Sequence, residues 1–370
     1  MINFKKSSIY IIPIIFHLLF FSNICFPQYA IDFKVNDDTT TALQNNPALA
    51  IDTKGNFIIA WEDKRDSLAY SKIYCQRFNS NGQKVGTNFV SSTEGCEYPS
   101  IAYRKDRSFA VVYNCYNLQR INMRIFDSSG TPISPIITVN DTINLYNTGV
   151  NTSLGVDSLG YIYGVVSYTK YNAYYRPDVY LQKFDPNGIK LGYNEKVNDD
   201  TSYLAPQTKP VITVRRDKSF IIAWRNQPYD GLGYIYMQMY NSLGQRVGFN
   251  IQVNDSIAGP IDHDYPSISS DSVGNFTIVW QDNRLTEIYY QPWAQNFNSN
   301  GVKIGTNYRV DQGISFDKVK PKVTKRNDGK FIIGWIDPAY NTSTPFGRRY
   351  DNNYLPIGNQ FALPKQFLNS

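Results

Sequence analysis

Two copies of one short pattern place carboxylates beside guanidinium groups. The pattern Trp-x-Asp-x-Arg occurs at 61–65 and at 280–284, and Asp337 holds the corresponding place in a later copy. Hydrolysis of a glycosidic bond uses two carboxyl groups about 5–10 Å apart. An Asp two residues before an Arg is equally suited to an ion pair that shapes its own loop. If the protein is an enzyme, Asp63, Asp282 and Asp337 are the candidate catalytic residues, but we favour the loop-shaping pair.

Tyrosines crowd one loop of the chain, and others lie in the corresponding part of the fifth unit. Aromatic rings that carry a polar atom suit the faces of sugars and the anchor points of protein partners. We therefore predict a ligand-binding surface that combines these rings with the two arginines of the pattern. Its residues are Tyr168, Tyr171, Tyr174, Tyr175, Arg65, Arg284, Tyr289 and Tyr290.

Histidine is scarce. The chain has two histidines, and one of them, His17, lies in a segment that we expect to be removed. This scarcity argues against zinc hydrolases, histidine-based triads and haem proteins. The other, His263, stands between two aspartates and is interpreted as a solvated loop residue.

Metal binding has one weak candidate. Val-Asn-Asp runs offer oxygen ligands for calcium, but they lack the dense acidic pattern of a dedicated calcium loop. Asn-Asp is also ordinary turn chemistry. We predict no metal site and no cofactor, with calcium as the open alternative. The runs lie at 139–141, 197–199 and 253–255.

All these residues belong to a unit that is repeated six times. The phrase from Pro47 to Trp61 recurs from Pro266 to Trp280, and decayed copies lie between and beside them. A period of 52 to 58 residues indicates a repeat architecture. Gly, Asn and Asp separate four short apolar segments in each unit, which predicts four strands. In the first unit the strands are predicted at 47–53, 57–63, 72–79 and 84–91.

The repeat predicts an all-β fold, a six-bladed β-propeller with four antiparallel strands per blade. Radial closure removes the exposed edges that an open array of sheets would leave. A β-solenoid is the alternative. Residues 30–37 resemble a fourth strand and could close the ring, although residues 358–364 already resemble the fourth strand of the last blade, and which segment is outermost stays open. We predict a single domain at 29–370, with blades at 38–92, 93–141, 142–199, 200–255, 256–311 and 312–365.

The repeated turn Asp-x-x-Gly-Asn-Phe has a structural interpretation. Asp52 can accept backbone N–H groups, and Gly55 can adopt positive φ. Phe57 would then enter the core, and Trp61 would pack between blades. We expect these residues to specify the fold rather than the function.

The turn is similar to the Asp-box of sialidase-type propellers, whose pattern is Ser-x-Asp-x-Gly-x-Thr-Trp. It departs from that pattern in having two residues between Asp and Gly and Phe in place of Trp. Over residues 31–363 the unit more closely resembles repeats of secreted, largely uncharacterised propeller proteins of Bacteroidota-type bacteria. That resemblance implies the architecture and implies no particular activity. The arginine cluster and the tyrosine nucleophile that sialidase chemistry needs cannot be assigned.

The N-terminus predicts export. Lys5 and Lys6 precede an apolar run from Ile9 to Phe21, which is typical of a signal peptide spanning 1–28. Cys25 leaves a lipoprotein as the alternative. No later stretch approaches the roughly 20 apolar residues of a membrane helix. Removing both lysines lowers the net charge from +6 to +4, which is too mild for a nucleic-acid partner.

Three cysteines remain after such a cleavage. Cys96 precedes one strand and Cys115 follows the next, so antiparallel pairing of these strands would bring the two together. We predict a Cys96–Cys115 disulfide, which suits an oxidising compartment. Cys75 is predicted to be a buried free thiol.

Together these observations predict a secreted, cell-surface or periplasmic module that binds without catalysis. We expect a monomer whose partner is an extracellular polysaccharide or a surface protein. Loops on a rigid scaffold are where binding is usually found, so the face with the long loops is the predicted contact surface. The alternative is a sialidase-like or other glycoside hydrolase or lyase acting on extracellular polysaccharide.

Overall fold

Six four-stranded sheets make up the molecule, and the strand order within each sheet follows the chain. The predicted fold class, an all-β six-bladed β-propeller with four antiparallel strands per blade, is confirmed. Within the described ranges no helix has the length and hydropathy needed to cross a membrane. This computed structural model describes residues 33–67, 69–141, 151–169, 176–200, 205–228, 231–255, 259–286, 288–313, 316–338 and 343–363.

The strands of the first three blades are bounded as follows. Blade 1 contains β1 (Gln44–Ile51), β2 (Phe57–Asp63), β3 (Lys72–Phe78) and β4 (Lys84–Val90). Blade 2 contains β5 (Cys96–Tyr103), β6 (Phe109–Cys115), β7 (Arg120–Phe126) and β8 (Ile137–Thr138), with a 3-10 turn at Tyr116–Leu118. Blade 3 contains β9 (Thr152–Val156), β10 (Ile162–Tyr168), β11 (Asp178–Phe184) and β12 (Glu195–Lys196).

The fourth strands of the last three blades have seven residues, as in blade 1, whereas those of blades 2 and 3 have two. Blade 4 contains β13 (Gln207–Val214), β14 (Phe220–Asn226), β15 (Tyr234–Tyr240) and β16 (Arg246–Gln252). Blade 5 contains β17 (His263–Ser270), β18 (Phe276–Asp282), β19 (Gln291–Phe297) and β20 (Lys303–Arg309). Blade 6 contains β21 (Val319–Lys325), β22 (Phe331–Asp337), β23 (Thr344–Tyr350) and β24 (Pro356–Ala362).

Contacts between Cα atoms divide the chain into two compact units. Unit 1 comprises Met1–Ala173 and Tyr180–Glu195, and unit 2 comprises Tyr174–Val179 and Lys196–Ser370. The predicted blade boundaries and the single domain at 29–370 stay predictions. The predicted signal peptide lies outside the described residues, as do the first three residues of the predicted closing strand at 30–37. The rest of that segment carries no strand, and its pairing with the last blade stays a prediction.

The repeated turn forms as its sequence predicts. Oδ1 of Asp52 accepts the backbone N–H groups of Lys54 and Asn56 at 2.8 and 2.9 Å. Gly55 has a φ of +84°, a region that favours glycine. Phe57 is buried. The turn is therefore closed by the side chain of its first residue.

Aromatic pairs fill the end of each blade that adjoins this turn. In five blades the first residue of the second strand stacks on the last residue of the third strand, with ring centroids 4.5 to 5.2 Å apart. At the other end of the second strand, a buried tryptophan packs against the neighbouring blade, as Trp280 does against Ile221 and Ala223. The stacked pairs are Phe57–Phe78, Phe109–Phe126, Phe220–Tyr240, Phe276–Phe297 and Phe331–Tyr350.

The Val-Asn-Asp runs connect successive blades. Asp199 accepts the N–H of Asn250 in the next blade at 2.9 Å, and Asn250 Oδ1 accepts the N–H of Asp199 at 2.7 Å. Asp141 and Asn194 form the same reciprocal pair. In these two runs the aspartate carboxylate accepts a backbone N–H of the next blade. Among the described residues no cluster of three or more His, Cys, Asp or Glu side chains could hold a metal ion.

The predicted disulfide is confirmed. Cys96 and Cys115 are bonded, and both are fully buried. Cys75 is the buried free thiol that the sequence predicts. Burial raises the pKa of the Cys75 thiol to about 12, so it is protonated at neutral pH.

Candidate functional site

The first strand of five blades contains a β-bulge directly before a proline. At each bulge one residue other than glycine has a φ between +48° and +53°. This conformation costs free energy for any residue with a Cβ. Bulges of this kind redirect a side chain, and they recur next to active sites. The five bulge residues are Asn46, Tyr98, Lys209, Tyr265 and Lys320.

In unit 2 three bulge residues come together. Lys209 Nζ lies over the ring of Tyr265, 3.6 Å from its centroid, and Lys320 Nζ lies 5.8 Å from the same centroid. These residues belong to β13, β17 and β21, the first strands of three successive blades. We call them the bulge triad. Its tyrosine ring is half-buried and its Lys320 is exposed, so the triad presents an aromatic ring and an ammonium group to solvent.

Charged residues behind the triad hold it in place. Both oxygens of Asp264 accept Lys209 Nζ at 2.6 Å, and Oδ1 also accepts the N–H of Tyr265 at 2.7 Å. Arg225 donates to Asp262 at 2.8 Å and to the carbonyl of His263 at 3.1 Å. Lys209 is therefore paired with Asp264, and Arg225 with Asp262.

The hydroxyl of Tyr290 is a further hydrogen-bond donor to Asp262. It donates to Oδ2 at 2.7 Å, while Oδ1 accepts the N–H of Gly233 at 2.6 Å. Burial acts to raise the pKa of Asp262, but the hydrogen bonds from Arg225 and Tyr290 outweigh it and lower the pKa. Asp262 is thus a fixed anion rather than a proton donor.

Lys209 is the cation most affected by its surroundings. Burial lowers the pKa of Lys209, and the Asp264 carboxylate opposes that change. A lysine whose charge is this poorly hydrated responds to any further anion that approaches it. The triad can therefore donate hydrogen bonds and supply positive charge beside an aromatic face.

His263 is not the solvated loop residue that the sequence predicts. It begins β17 and is 3% exposed. Its Nδ1 lies 2.8 Å from the carbonyl of Gly233, and its Nε2 lies 3.7 Å from Oδ2 of Asp282 without a hydrogen bond. Burial lowers the pKa of His263, so the ring is held neutral. The sequence-based interpretation fails because the flanking aspartates pair with Arg225 and Lys209 while the ring turns inward.

The bulges of unit 1 surround a carboxyl group instead. Oε1 of Glu62 accepts the N–H of Tyr98 at 2.6 Å and Nδ2 of Asn46 at 2.8 Å. Burial raises the pKa of Glu62, and the negative charge of Glu97 raises it further. Burial also raises the pKa of Glu97. Two carboxyl groups with raised pKa values are typical of acid–base sites.

The three candidate catalytic aspartates are all engaged in internal pairs. Asp63 accepts the indole N–H of Trp61 at 2.8 Å and the guanidinium of Arg65 at 2.7 Å. Asp282 accepts Trp280 and Arg284 in the same way. Asp337 lies 3.2 Å from Lys318. The loop-shaping Asp–Arg pair that the pattern favours is confirmed, and the structure places these aspartates in separate blades.

The predicted binding residues have diverse positions. Arg65 is half-buried over the ring of Tyr74, and Arg284 lies over Trp293. Tyr168 is buried in blade 3, where its hydroxyl donates to Asn194, so it occupies a packing position. Tyr289 is exposed beside Phe316, and Tyr290 is the half-buried partner of Asp262 described above. Tyr171, Tyr174 and Tyr175 lie outside the described residues.

The bulge triad was missed by the sequence analysis. The available signal was the proline that begins each repeat, since every bulge residue directly precedes it. A residue before proline is steered away from the right-handed helical region. That rule marks the positions as unusual, but it does not reveal which side chains the bulges bring together. The prolines are Pro47, Pro99, Pro210, Pro266 and Pro321.

Sequence comparisons assign the chain to no family. No family model matches it, and no curated protein matches its sequence. Its structure is similar to that of the GH93 alpha-L-arabinofuranosidase of Fusarium graminearum in complex with arabinobiose. The TM-score is 0.55 at 12% identity, covering 84% of this chain and 94% of that chain.

Two further solved structures share the fold. A protein of unknown function from Dyadobacter fermentans has a TM-score of 0.53 at 12% identity, covering 87% of this chain and 93% of that one. The Hadza microbial sialidase Hz136 has a TM-score of 0.51 at 12% identity, covering 82% of this chain and 65% of that one. At such identities the comparisons show the fold alone, and the resemblance to a particular Bacteroidota family stays a prediction.

Proposed function

We propose that this protein is an extracellular binding module that recognises carbohydrate through the bulge triad. The observation that supports this most directly is Tyr265, a half-buried ring between two lysines on adjacent first strands. Sugars offer apolar faces that pack on aromatic rings and hydroxyl groups that accept hydrogen bonds from ammonium groups. Strand-borne side chains locked by buried ion pairs make a preorganised site.

The remaining features agree with this role. The triad lies where the connection from the preceding blade enters the first strand, on the face that carries the long loops. A disulfide suits an oxidising compartment and so supports export. The three aspartates that the sequence offered for catalysis are neutralised by basic partners, which favours binding without turnover at those positions.

The test is a panel of neutral and acidic polysaccharides offered to the purified protein, with both retention and release of reducing ends measured. We expect retention without release, and Tyr265→Ala should weaken retention at least tenfold because the ring and its hydroxyl are lost. Tyr193→Ala is the matched control, since Tyr193 is 89% exposed and lies outside the first strands. Retention of no polysaccharide at all would refute the proposal and favour a protein partner.

A second candidate function, glycoside hydrolysis, is favoured by one specific observation. Glu62 and Glu97 both have pKa values raised by burial in unit 1, and a raised pKa is typical of a carboxyl group that serves as a general acid. Release of reducing ends that disappears in Glu62→Gln and Glu97→Gln, but not in the exposed control Glu94→Gln, would establish hydrolysis. Absence of release from every polysaccharide would dismiss it.

A further inference from the structure

Blade 6 carries two lysines on its first strand that form no ion pair with the carboxylates the structure describes. Lys320 and Lys322 flank Pro321, and both side chains are exposed. Elsewhere in unit 2 the cations near the triad are paired, Lys209 with Asp264 and Arg225 with Asp262. Among the described residues neither Lys320 nor Lys322 forms an ion pair.

The repeat itself shows that the fold does not require these charges. At the position of Lys322, one residue after the proline, the other blades with this bulge carry small or uncharged side chains. Among the described first strands, blade 6 alone has a cation one residue after the proline. Its bulge residue, Lys320, is also a cation. The corresponding residues are Ala48, Ser100, Val211 and Ser267.

The positive charges of Lys320 and Lys322 interact unfavourably in the unliganded protein. The side chain of Lys322 reaches solvent, but protein atoms crowd around it and reduce its hydration. This loss of hydration and the charge of Lys320 both lower the pKa of Lys322. The unfavourable interaction is relieved when a negative group lies between the two lysines. Lys209, which Asp264 already pairs, also lies over the ring of Tyr265, with Nζ 3.6 Å from the centroid.

We infer that the carbohydrate is acidic, and that Lys320 and Lys322, with Lys209 and Tyr265, form a site for the carboxylate groups of a uronic-acid polysaccharide. The inference rests on the proposed function, because it names the class of saccharide that the triad recognises. The ring of Tyr265 contacts the sugar, and the lysines contact its carboxylates. A lysine is a compact point charge that tolerates several orientations of a carboxylate, which suits a repeating chain.

The test compares polygalacturonate with its fully methyl-esterified form, because the two share one backbone and differ in charge. We expect the wild-type protein to retain the acid form and not the ester, with affinity that falls as salt screens the charges. Lys320→Gln combined with Lys322→Gln should weaken binding about tenfold or more, since two charge-assisted contacts are lost. Lys330→Gln removes the same charge from an exposed turn of blade 6 and should leave binding unchanged.

The outcomes separate the two proposals. Equal retention of the acid and ester forms, or retention of neutral polysaccharides alone, would overturn the acidic ligand and leave carbohydrate binding in place. An equal loss in Lys330→Gln would overturn the site. Failure to retain any polysaccharide, neutral or acidic, would overturn both proposals. Melting temperatures equal to the wild type would show that the variants are folded.

Discussion

Cys96 in β5 lies directly opposite Cys115 in β6, and the two are joined by a disulfide with Cα atoms 4.0 Å apart. The same two strand positions are bridged differently in other blades, by an amide pair in blade 4 and by an imidazole facing a carboxylate in blade 5. The paired position therefore carries different side-chain chemistry in different blades. The corresponding pairs are Gln44–Asp63, Gln207–Asn226 and His263–Asp282.

Removal of the disulfide should destabilise the protein. The bond joins residues 19 positions apart, and closing a loop of that length in the unfolded chain is worth about 3 kcal/mol. We expect Cys96→Ala combined with Cys115→Ala to lower the free energy of unfolding by about 2–4 kcal/mol in urea. A reductant should lower the melting temperature of the wild type and leave that of the double variant unchanged. Equal sensitivity of both proteins would contradict the prediction.

Loss of the Asp282 carboxylate should also destabilise the protein, because it breaks a buried ion pair. Asp282 is fully buried and accepts hydrogen bonds from the backbone N–H, Nε and Nη2 of Arg284 and from the indole of Trp280. Asp282→Ala removes the nearest carboxylate from an almost buried guanidinium, which keeps the ring of Trp293 and the more distant carboxylate of Asp255 at 3.8 Å. The free energy of unfolding should therefore fall by about 3–5 kcal/mol.

The control for this variant is Asp328→Ala. Asp328 and Arg326 form an exposed pair, and its loss should change stability by less than about 0.5 kcal/mol. Both variants are compared by urea denaturation at neutral pH. Similar effects of the two would show that burial does not determine the importance of the Asp282 pair.

His263 should make stability depend on pH in the mildly acidic range. Burial lowers its pKa below 6.5, Arg284 acts in the same direction, and Asp282 and Asp262 oppose the change. The folded state therefore binds fewer protons than the unfolded state, and stability falls as pH decreases below about 6.5. His263→Gln should flatten the slope between about pH 6.5 and 5, above the range where most carboxylates titrate.

Proton NMR offers a direct check on the same group. The predicted exported chain has a single histidine, so one imidazole resonance reports on it. Its midpoint should lie below 6.5. A midpoint above 6.5 would reverse the sign of the stability change.

Gly233 should be intolerant of any side chain. A Cβ at this position would lie 2.3 Å from both Nε of Arg225 and the carbonyl oxygen of His263. Gly233→Ala should therefore disrupt the Arg225–Asp262 pair behind the triad, reducing both polysaccharide retention and thermal stability.

Gly313→Ala is the matched control for Gly233→Ala. The nearest atom to its added Cβ is Cε of Lys318 at 3.9 Å, an ordinary contact. Its retention and melting temperature should match those of the wild type. Wild-type retention and melting temperature in Gly233→Ala would contradict the prediction, because they would show that Arg225 and Asp262 accommodate the added Cβ.

The fold could be predicted from the sequence because its determinants are local and repeated. The predicted strands of the first unit end within three residues of those observed, since Gly55 and its counterparts mark each turn and alternation marks each strand. The disulfide followed from the same strand pairing. These features depend on neighbours along the chain, which a sequence displays directly.

The site depends on neighbours across blades, and the sequence does not display those. Nothing in the residue type of Lys209 or Tyr265 requires a positive φ, and only the packing of adjacent first strands brings the two side chains together. His263 illustrates the same limit, because its burial is decided by the carbonyl of Gly233 in another blade.

The reciprocal bonds between connector aspartates and outer-strand asparagines have a consequence for how this chain can evolve. Asp141–Asn194 and Asp199–Asn250 use the same donors and acceptors in different blades, so blade 3 carries both halves of this connection, Asn194 and Asp199. A tandem duplication of a blade would arrive already able to dock on its neighbour. Because two residues hold adjacent blades together, the bulge positions can differ from blade to blade. In this chain they are occupied by tyrosine, lysine or asparagine.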